Sequence, residues 1–200
     1  MSAAKKTPRE PSDELPVKII LIGDLGVGKT TIIHKYCNYT GQAKEILNKQ
    51  LVACNRKLKL VFHDTLGAEQ MATVTSAIYQ NCAACVFCYD PTNNDSVVNL
   101  NGWTAELKRY GPNKGNVPKY LCCNKSDLTR SIKEEDLQAV LQSCPLKEFK
   151  VSAQTGEGID AMFDAIIPEA VEESIRQLKE KNKPIPPPLK AQKKGGCVLL

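Results

Sequence analysis

No run of about 18 apolar residues occurs anywhere in this 200-residue chain, so no transmembrane helix is expected. The opening segment, residues 2–14, is polar, contains proline and lacks the apolar centre of a signal peptide. It is expected to be a flexible leader, with the first boundary at residues 1–15. No internal repeat is visible. Excess basic charge is lacking over most of the chain. The net charge is +5, and residues 179–200 carry six lysines against one glutamate, which accounts for the whole excess. The remainder is near neutral, which argues against a basic nucleic-acid-binding face and makes the basic feature a terminal arm. Disulfides are not expected either, despite nine cysteines. Cys85 and Cys88 fall in the apolar run 83–89, and Cys122 and Cys123 in the run 120–123, where a reduced thiol behaves as a small buried hydrophobe. Cys82, Cys85 and Cys88 spell CxxCxxC, but a strand sends alternate side chains to opposite faces, so a metal site is not expected there.

What the chain does have is a phosphate-binding loop. Gly23-Asp24-Leu25-Gly26-Val27-Gly28-Lys29-Thr30 is a full GxxxxGK[ST] motif. Val17-Lys18-Ile19-Ile20-Leu21-Ile22 before it reads as a strand. Thr31-Ile32-Ile33-His34-Lys35-Tyr36 after it reads as the start of a helix. In that setting the glycines let backbone N–H groups turn toward phosphate oxygens, and the helix N-terminus adds partial positive charge. Lys29 is expected to stabilise the β- and γ-phosphates, and the Thr30 hydroxyl to ligate Mg²⁺.

Three further motifs follow in order. Asp64-Thr65-Leu66-Gly67 is a DxxG at a strand end, where Asp64 can hold Mg²⁺ through water and the Gly67 N–H can meet a γ-phosphate. Asn124-Lys125-Ser126-Asp127, followed by Leu128, is an NKxD. The Asp127 carboxylate can accept two hydrogen bonds from the guanine N1–H and N2–H₂ edge. Adenine offers no such pair, so the site would reject ATP. Asn124 would tie this loop to the phosphate loop, and the Lys125 stem would lie over the base. Ser152-Ala153-Gln154 can offer a backbone N–H to guanine O6.

The pattern alternates strand and helix. Strands are predicted at 16–22, 46–54, 58–64, 84–90, 118–124 and 147–151, and helices at 28–38, 69–80, 95–110, 133–143 and 158–181. Arg56-Lys57 reads as a hairpin turn, which makes one strand antiparallel. Asp95 or Ser96 is expected to cap the third helix, and Ser131 with Glu134 to form a capping box on the fourth. Pro184-Ile185-Pro186-Pro187-Pro188 cannot continue a helix and favours extended structure.

The order of phosphate loop, DxxG, NKxD and SAQ resembles the Ras superfamily of small GTPases. The stretch Ile78-Tyr79 through Tyr89-Asp90-Pro91-Thr92-Asn93, then Ser96 and Trp103, resembles the Rab family. The short interval between NKSD and SAQ leaves no room for the extra helix of Rho proteins. The resemblance covers residues 16–178. It implies an α/β fold, a G domain of the P-loop NTPase class with a six-stranded mixed sheet and five helices, spanning residues 16–181. It implies GTP or GDP with Mg²⁺ as ligands, and two switches that respond to nucleotide. Its implied partners are an exchange factor, a GTPase-activating protein, a GDP-dissociation inhibitor or escort protein, and effectors, with the protein itself a monomer. Residues 182–200 are expected to be a flexible tail. Cys197-Val198-Leu199-Leu200 reads as a CaaX box with leucine last, which predicts geranylgeranylation of Cys197. Lys190, Lys193 and Lys194 supply a second membrane signal, each worth about 1 kcal/mol near an anionic leaflet. The expected location is the cytosolic face of cell or organelle membranes.

The departures from the family bear on catalysis. The place where a Gln usually orients the attacking water holds Ala68, and Gln70 would need rearrangement to substitute. Leu66 replaces a small residue beside the γ-phosphate. Leu25 occupies the loop position where an arginine finger needs space. No confident catalytic side chain therefore follows beyond Lys29, and slow GTP hydrolysis is expected. The segment from Thr30 to Asp64 is several residues shorter than in Rab proteins, and the switch threonine has no clear match. Thr40 is the only threonine between residues 32 and 63, and Tyr39 is a candidate cover for the base. His63 and Ile78 stand where the family often has aromatics. The expected function is a membrane-anchored switch in vesicle traffic or signalling, with a guanine-nucleotide-binding scaffold as the alternative.

Overall fold

A computed structural model describes residues 13–64 and 76–189. Six strands form one sheet in the order β2-β3-β1-β4-β5-β6. They are β1 (Leu15–Ile22), β2 (Ile46–Ala53), β3 (Arg56–His63), β4 (Ala84–Tyr89), β5 (Lys119–Cys123) and β6 (Lys147–Lys150). Only β2 with β3 pairs antiparallel; β1 with β3, β1 with β4, β4 with β5 and β5 with β6 are parallel. The helices are α1 (Lys29–Cys37), α2 (Asp95–Val98), α3 (Leu100–Tyr110), α4 (Glu134–Ser143) and α5 (Ile159–Glu180). This is the mixed α/β sheet that the sequence predicts. Among the described residues no helix is long and apolar enough to cross a membrane.

Both faces of the central strands are covered, so β4 is buried at every position. Its side chains alternate between two cores. Ala84, Val86 and Cys88 join the core beneath α1 and α5, and Cys85, Phe87 and Tyr89 join the core beneath α3 and α4. Cys85 and Cys88 therefore point to opposite faces. Burial pushes the Cys82 thiol up to about 12, which keeps it protonated at neutral pH. In the first core the Tyr36 and Phe163 rings stack at 4.0 Å and both contact Phe62, which locks α1 and α5 to the sheet.

Four local expectations need correction. The hairpin turn sits at Cys54-Asn55, where both residues have positive φ (50° and 55°), as a two-residue turn of that hand requires. Arg56 and Lys57 belong to β3 instead. The helix expected at 95–110 is divided at Asn99 into α2 and α3. The second predicted helix, 69–80, lies outside the described residues up to 75, and residues 76–80 form turns. Neither expected cap forms. Ser96 Oγ accepts the Asp90 N–H at 3.0 Å and donates to the Asn93 carbonyl at 2.7 Å, closing the loop after β4. Asn94 Oδ1 accepts the Lys133 N–H at 2.8 Å, so the start of α4 is held from a neighbouring loop rather than by Ser131. Glu134 is turned to Arg130 and Gln138.

Because five strands run parallel, their carboxyl ends share one end of the sheet. The segments following β1, β3, β4, β5 and β6 all emerge there. The strand order reverses about β1, which opens a crevice at its end, where such sheets bind ligands. The Cys54-Asn55 turn, the start of β1 and the end of α5 lie at the opposite end.

Candidate nucleotide site

The phosphate loop leaves β1 at Ile22 and enters α1 at Lys29. Two of its glycines are enforced by geometry. A Cβ on Gly23 (φ 145°) would stand 2.2 Å from the Cys88 carbonyl oxygen, and one on Gly28 (φ 95°) would stand 2.3 Å from Asn124 Nδ2. Gly23 thus lets the loop cross β4, and Gly28 lets it approach the NKxD loop. Gly28 is also the N-cap of α1 and supplies no side-chain cap, so the first-turn N–H groups face the crevice. Lys29 is 5 % exposed, and its Nζ donates to the carbonyls of Gly23 and Asp24, both at 2.7 Å. Thr30 is half-buried and Thr31 exposed beside it.

A single carboxamide joins three loops. Asn124 Nδ2 donates to the Val27 carbonyl at 2.8 Å, and Asn124 Oδ1 accepts the Ala153 N–H at 3.0 Å. The side chain is 2 % exposed, so both bonds are shielded from water. Together they frame a cavity of about 390 Å³ lined by Gly26, Gly28, Thr31, Asn124, Lys125, Asp127, Leu128, Ala153 and Gln154. Asp127 and Leu128 are exposed at its rim, and Ser152 is fully buried behind it. The Ser152 hydroxyl accepts the Thr155 N–H at 3.1 Å and shapes the turn that carries Ala153 and Gln154.

Lys125 adopts a positive φ (58°), and its ammonium bonds Asp90 Oδ2 at 2.5 Å. Burial alone would raise the Asp90 carboxyl, but the hydrogen bonds from Lys125 and Thr92 outweigh it and hold the group below its ordinary value. Asp90 is a site-supporting residue that motif reasoning missed. Its sequence signals are its position at the end of an apolar strand and its place in the Tyr89–Asn93 stretch, neither of which assigns it a role.

The other half of the crevice is built differently. Asp64 follows β3, is 5 % exposed, and its N–H donates to the Glu45 carbonyl at 2.9 Å. Thr30 and Asp64 offer hydroxyl and carboxylate oxygens, the hard donor set that suits Mg²⁺. Leu66, Gly67, Ala68 and Gln70 lie outside the described residues. The first-switch segment turns back on α1. Asn38 ends that helix in the left-handed region, and the Tyr39 N–H donates to the His34 carbonyl at 2.9 Å. The Tyr39 ring meets His34 edge-on at 5.0 Å and takes the Lys44 ammonium over its face, also at 5.0 Å. Thr40 beside it is exposed.

Asp24 has long-range partners that no motif announces. Its carboxylate accepts from Trp103 Nε1 at 2.9 Å and from Asn99 Nδ2 at 2.7 Å. This latch ties the phosphate loop to α3 and floors a groove of about 520 Å³ bordered by Leu25, Asn93 and Glu106. Leu25 is 56 % exposed at its lip.

The chain matches the Ras family model over residues 18–172. It is 32 % identical over 177 residues to the Ras-related protein Rab-26 of Mus musculus, covering 84 % of this chain and 67 % of that protein. It is 29 % identical over 200 residues to the Ras-related protein Rab-37 of Homo sapiens, covering 95 % of this chain and 89 % of that protein. It is also 31 % identical over 180 residues to DnaJ homolog subfamily C member 27 of Bos taurus, covering 82 % of this chain and 64 % of that protein. Sheet order, crevice and sequence agree: the chain belongs to the Ras family and is a Rab-like small GTPase.

Proposed function

We propose that this GTPase binds GTP and GDP with Mg²⁺, hydrolyses GTP slowly, and works as a membrane-anchored switch in vesicle traffic or signalling. The observation that carries the nucleotide assignment is the Asn124 clasp, which joins the phosphate loop, the NKSD loop and the SAQ loop around one cavity. In this reading residues 24–31 cradle the phosphates, with Lys29 as the principal cation. Asp127 selects guanine, the Lys125 stem and Leu128 flank the base, and the SAQ turn (Ser152, Ala153, Gln154) offers a backbone N–H to the ring carbonyl. Thr30 and Asp64 would hold Mg²⁺, whose bound charge neutralises the phosphates. Gly67 would meet the γ-phosphate.

The slow rate rests on Ala68, Leu66 and Leu25. Alanine has no group with which to orient water, and exposed Leu25 crowds the approach of an arginine from a partner. Residues 16–181 form the nucleotide-binding unit in this proposal, residues 1–15 a leader, and residues 182–200 an arm that carries the lipidated Cys197 and the lysines 190, 193 and 194. Exchange factor, activating protein, GDP-dissociation inhibitor and effectors are the partners such a switch requires.

A second reading, a guanine-nucleotide-binding scaffold that barely cycles, is favoured by one observation. Tyr39, the first residue beyond the Asn38 cap of α1, is packed on His34, and Thr40 after it is exposed. Single-turnover hydrolysis on the purified chain separates the two. Ala68→Gln should raise the rate roughly tenfold or more if the water-orienting group is the missing part. No turnover in either protein makes the scaffold the better description.

A further inference from the structure

The proline-rich segment after α5 does not leave the domain at the end of that helix. It runs back along the end of the sheet remote from the nucleotide crevice and docks on the β2–β3 turn. The Leu189 N–H donates to the Asn55 carbonyl at 2.8 Å, Asn55 Nδ2 donates to the Leu189 carbonyl at 3.4 Å, and Arg56 Nη1 donates to the Pro186 carbonyl. Ile185, Pro186 and Leu189 are half-buried along this strap. Prolines hold it extended at a low entropic cost. The chain continues from Leu189 into Lys190, Lys193, Lys194 and Cys197.

The end of the domain that receives the strap is basic. Lys57, Lys59, Lys179, Lys181 and Lys183 are exposed there. Of the acids on the same end, Glu180 is paired with Arg176, Glu14 accepts from Gln50, and Asp13 is exposed. Beside them lies a cavity of about 280 Å³ rimmed by Lys18, Lys181 and Lys183, large enough for a phosphate-bearing headgroup. The crevice end instead carries Asp24, Asp64, Asp90, Asp95 and Asp127; of its lysines, Lys29 is bonded to loop carbonyls, Lys125 is paired with Asp90, and Lys133 is exposed. The domain is therefore polarised along its strands, and its basic pole is where the tail departs.

We infer that the β2–β3 turn, the strap 184–189 and the surrounding lysines form a docking face for an anionic lipid surface, which holds the nucleotide crevice pointing away from the membrane. The inference rests on the membrane-anchored reading above, and adds an orientation to it. A loose tail would let the domain tumble. A strap clamped at Asn55 leaves only the residues after Leu189 as tether, and these emerge beside lysines that an anionic leaflet attracts.

The test uses the full prenylated chain on phosphatidylcholine vesicles with and without phosphatidylserine, read by lysine acetylation footprinting. With phosphatidylserine, Lys57, Lys59 and Lys183 should become protected, while Lys133 near the crevice end stays reactive. Lys57→Gln with Lys59→Gln should weaken partitioning roughly tenfold or more on anionic vesicles and leave neutral vesicles unaffected. Leu189→Pro deletes the N–H donated to Asn55 without altering charge or lipid. It should abolish the selective protection of Lys57 and Lys59 and weaken partitioning on anionic vesicles by no more than the double lysine variant does. Equal protection of Lys133 and Lys57, or selective protection that survives Leu189→Pro, overturns the inference. Cys197→Ser separates the two levels. If it remains bound as tightly as the prenylated chain, the lipid-anchored reading fails. If it is released while the footprint of the bound parent shows no preference for the hairpin, anchoring stands and the orientation is wrong.

Discussion

The two halves of the nucleotide crevice are built on different principles. The half assigned to the base and the α- and β-phosphates is held by buried hydrogen bonds between loops that rigid strands position. Asn124 alone binds Val27 and Ala153, and Lys125 is anchored on Asp90. The half that would face the γ-phosphate has no equivalent frame among the described residues. Its first-switch segment is turned onto α1 through Tyr39 and His34. The contrast teaches that binding and turnover can be separated within one fold: on the proposed function, affinity for guanine nucleotide would sit in the rigid half, and hydrolysis and switching would depend on the other.

The largest effect is expected where the rigid half meets the base. Asp127→Asn removes two charge-assisted hydrogen bonds, worth about 1.5–3 kcal/mol each, so GTP affinity should fall roughly 10²- to 10⁴-fold. Affinity for xanthosine triphosphate should rise in the same variant, because the amide offers the donor that xanthine's C2 carbonyl requires. Competition binding with both nucleotides measures this. Unchanged preference for GTP would show that the base is read elsewhere.

A smaller effect tests the other half through pH. His63 closes β3 next to Asp64 and is half-buried, and burial together with the nearby Lys18 ammonium lowers its pKa to about 4. Its folded pKa lies below the unfolded value of about 6.5, so the unfolded chain binds the proton first. Stability should be independent of this group above pH 6.5 and should fall as the pH drops toward 4. Partial exposure limits the loss to about 1–2 kcal/mol. Asp90, whose pKa is held below its ordinary value, loses its contribution only at still lower pH. Urea midpoints at pH 7 and pH 5 should therefore differ in the parent and converge in His63→Gln. An equal shift in both proteins would assign the sensitivity to another group.

The difference in legibility between sequence-local and long-range features has a physical cause. The phosphate loop and the NKSD loop are each a few consecutive residues whose chemistry is local, so residue type and spacing reveal them. The alternation of apolar strands and amphipathic helices likewise reveals the sheet. The Cys54-Asn55 turn was displaced by two residues because a cysteine gives no turn signal, although Asn55 tolerates the left-handed conformation. The break at Asn99 lies inside a continuous apolar periodicity. The start of α4 is held across a loop by Asn94, so no local box marks it, whereas the Asp95 N–H that opens α2 donates to the nearby Asn93 Oδ1. Strap and hairpin meet across more than a hundred residues, and only the folded topology brings Leu189 to Asn55.

The smallest expected effect tests whether the rigid half extends to α3. Asp24 lies in the phosphate loop, yet its carboxylate is held by Asn99 and Trp103, 75 and 79 residues away. Trp103 is the only tryptophan of the chain, so its fluorescence reports on this contact directly. Trp103→Phe keeps an aromatic ring on α3 and deletes one donor. Asn99 remains, and the carboxylate can recruit water, so the loss should be about 1 kcal/mol. If the latch steadies the loop, that loss appears as a several-fold faster release of bound nucleotide, and Asp24→Asn combined with Trp103→Phe should cost less than the two changes summed. Strict additivity would mean that the indole and the carboxylate act independently. The rigid half would then end at the Asn124 clasp, and α3 would have no part in holding nucleotide.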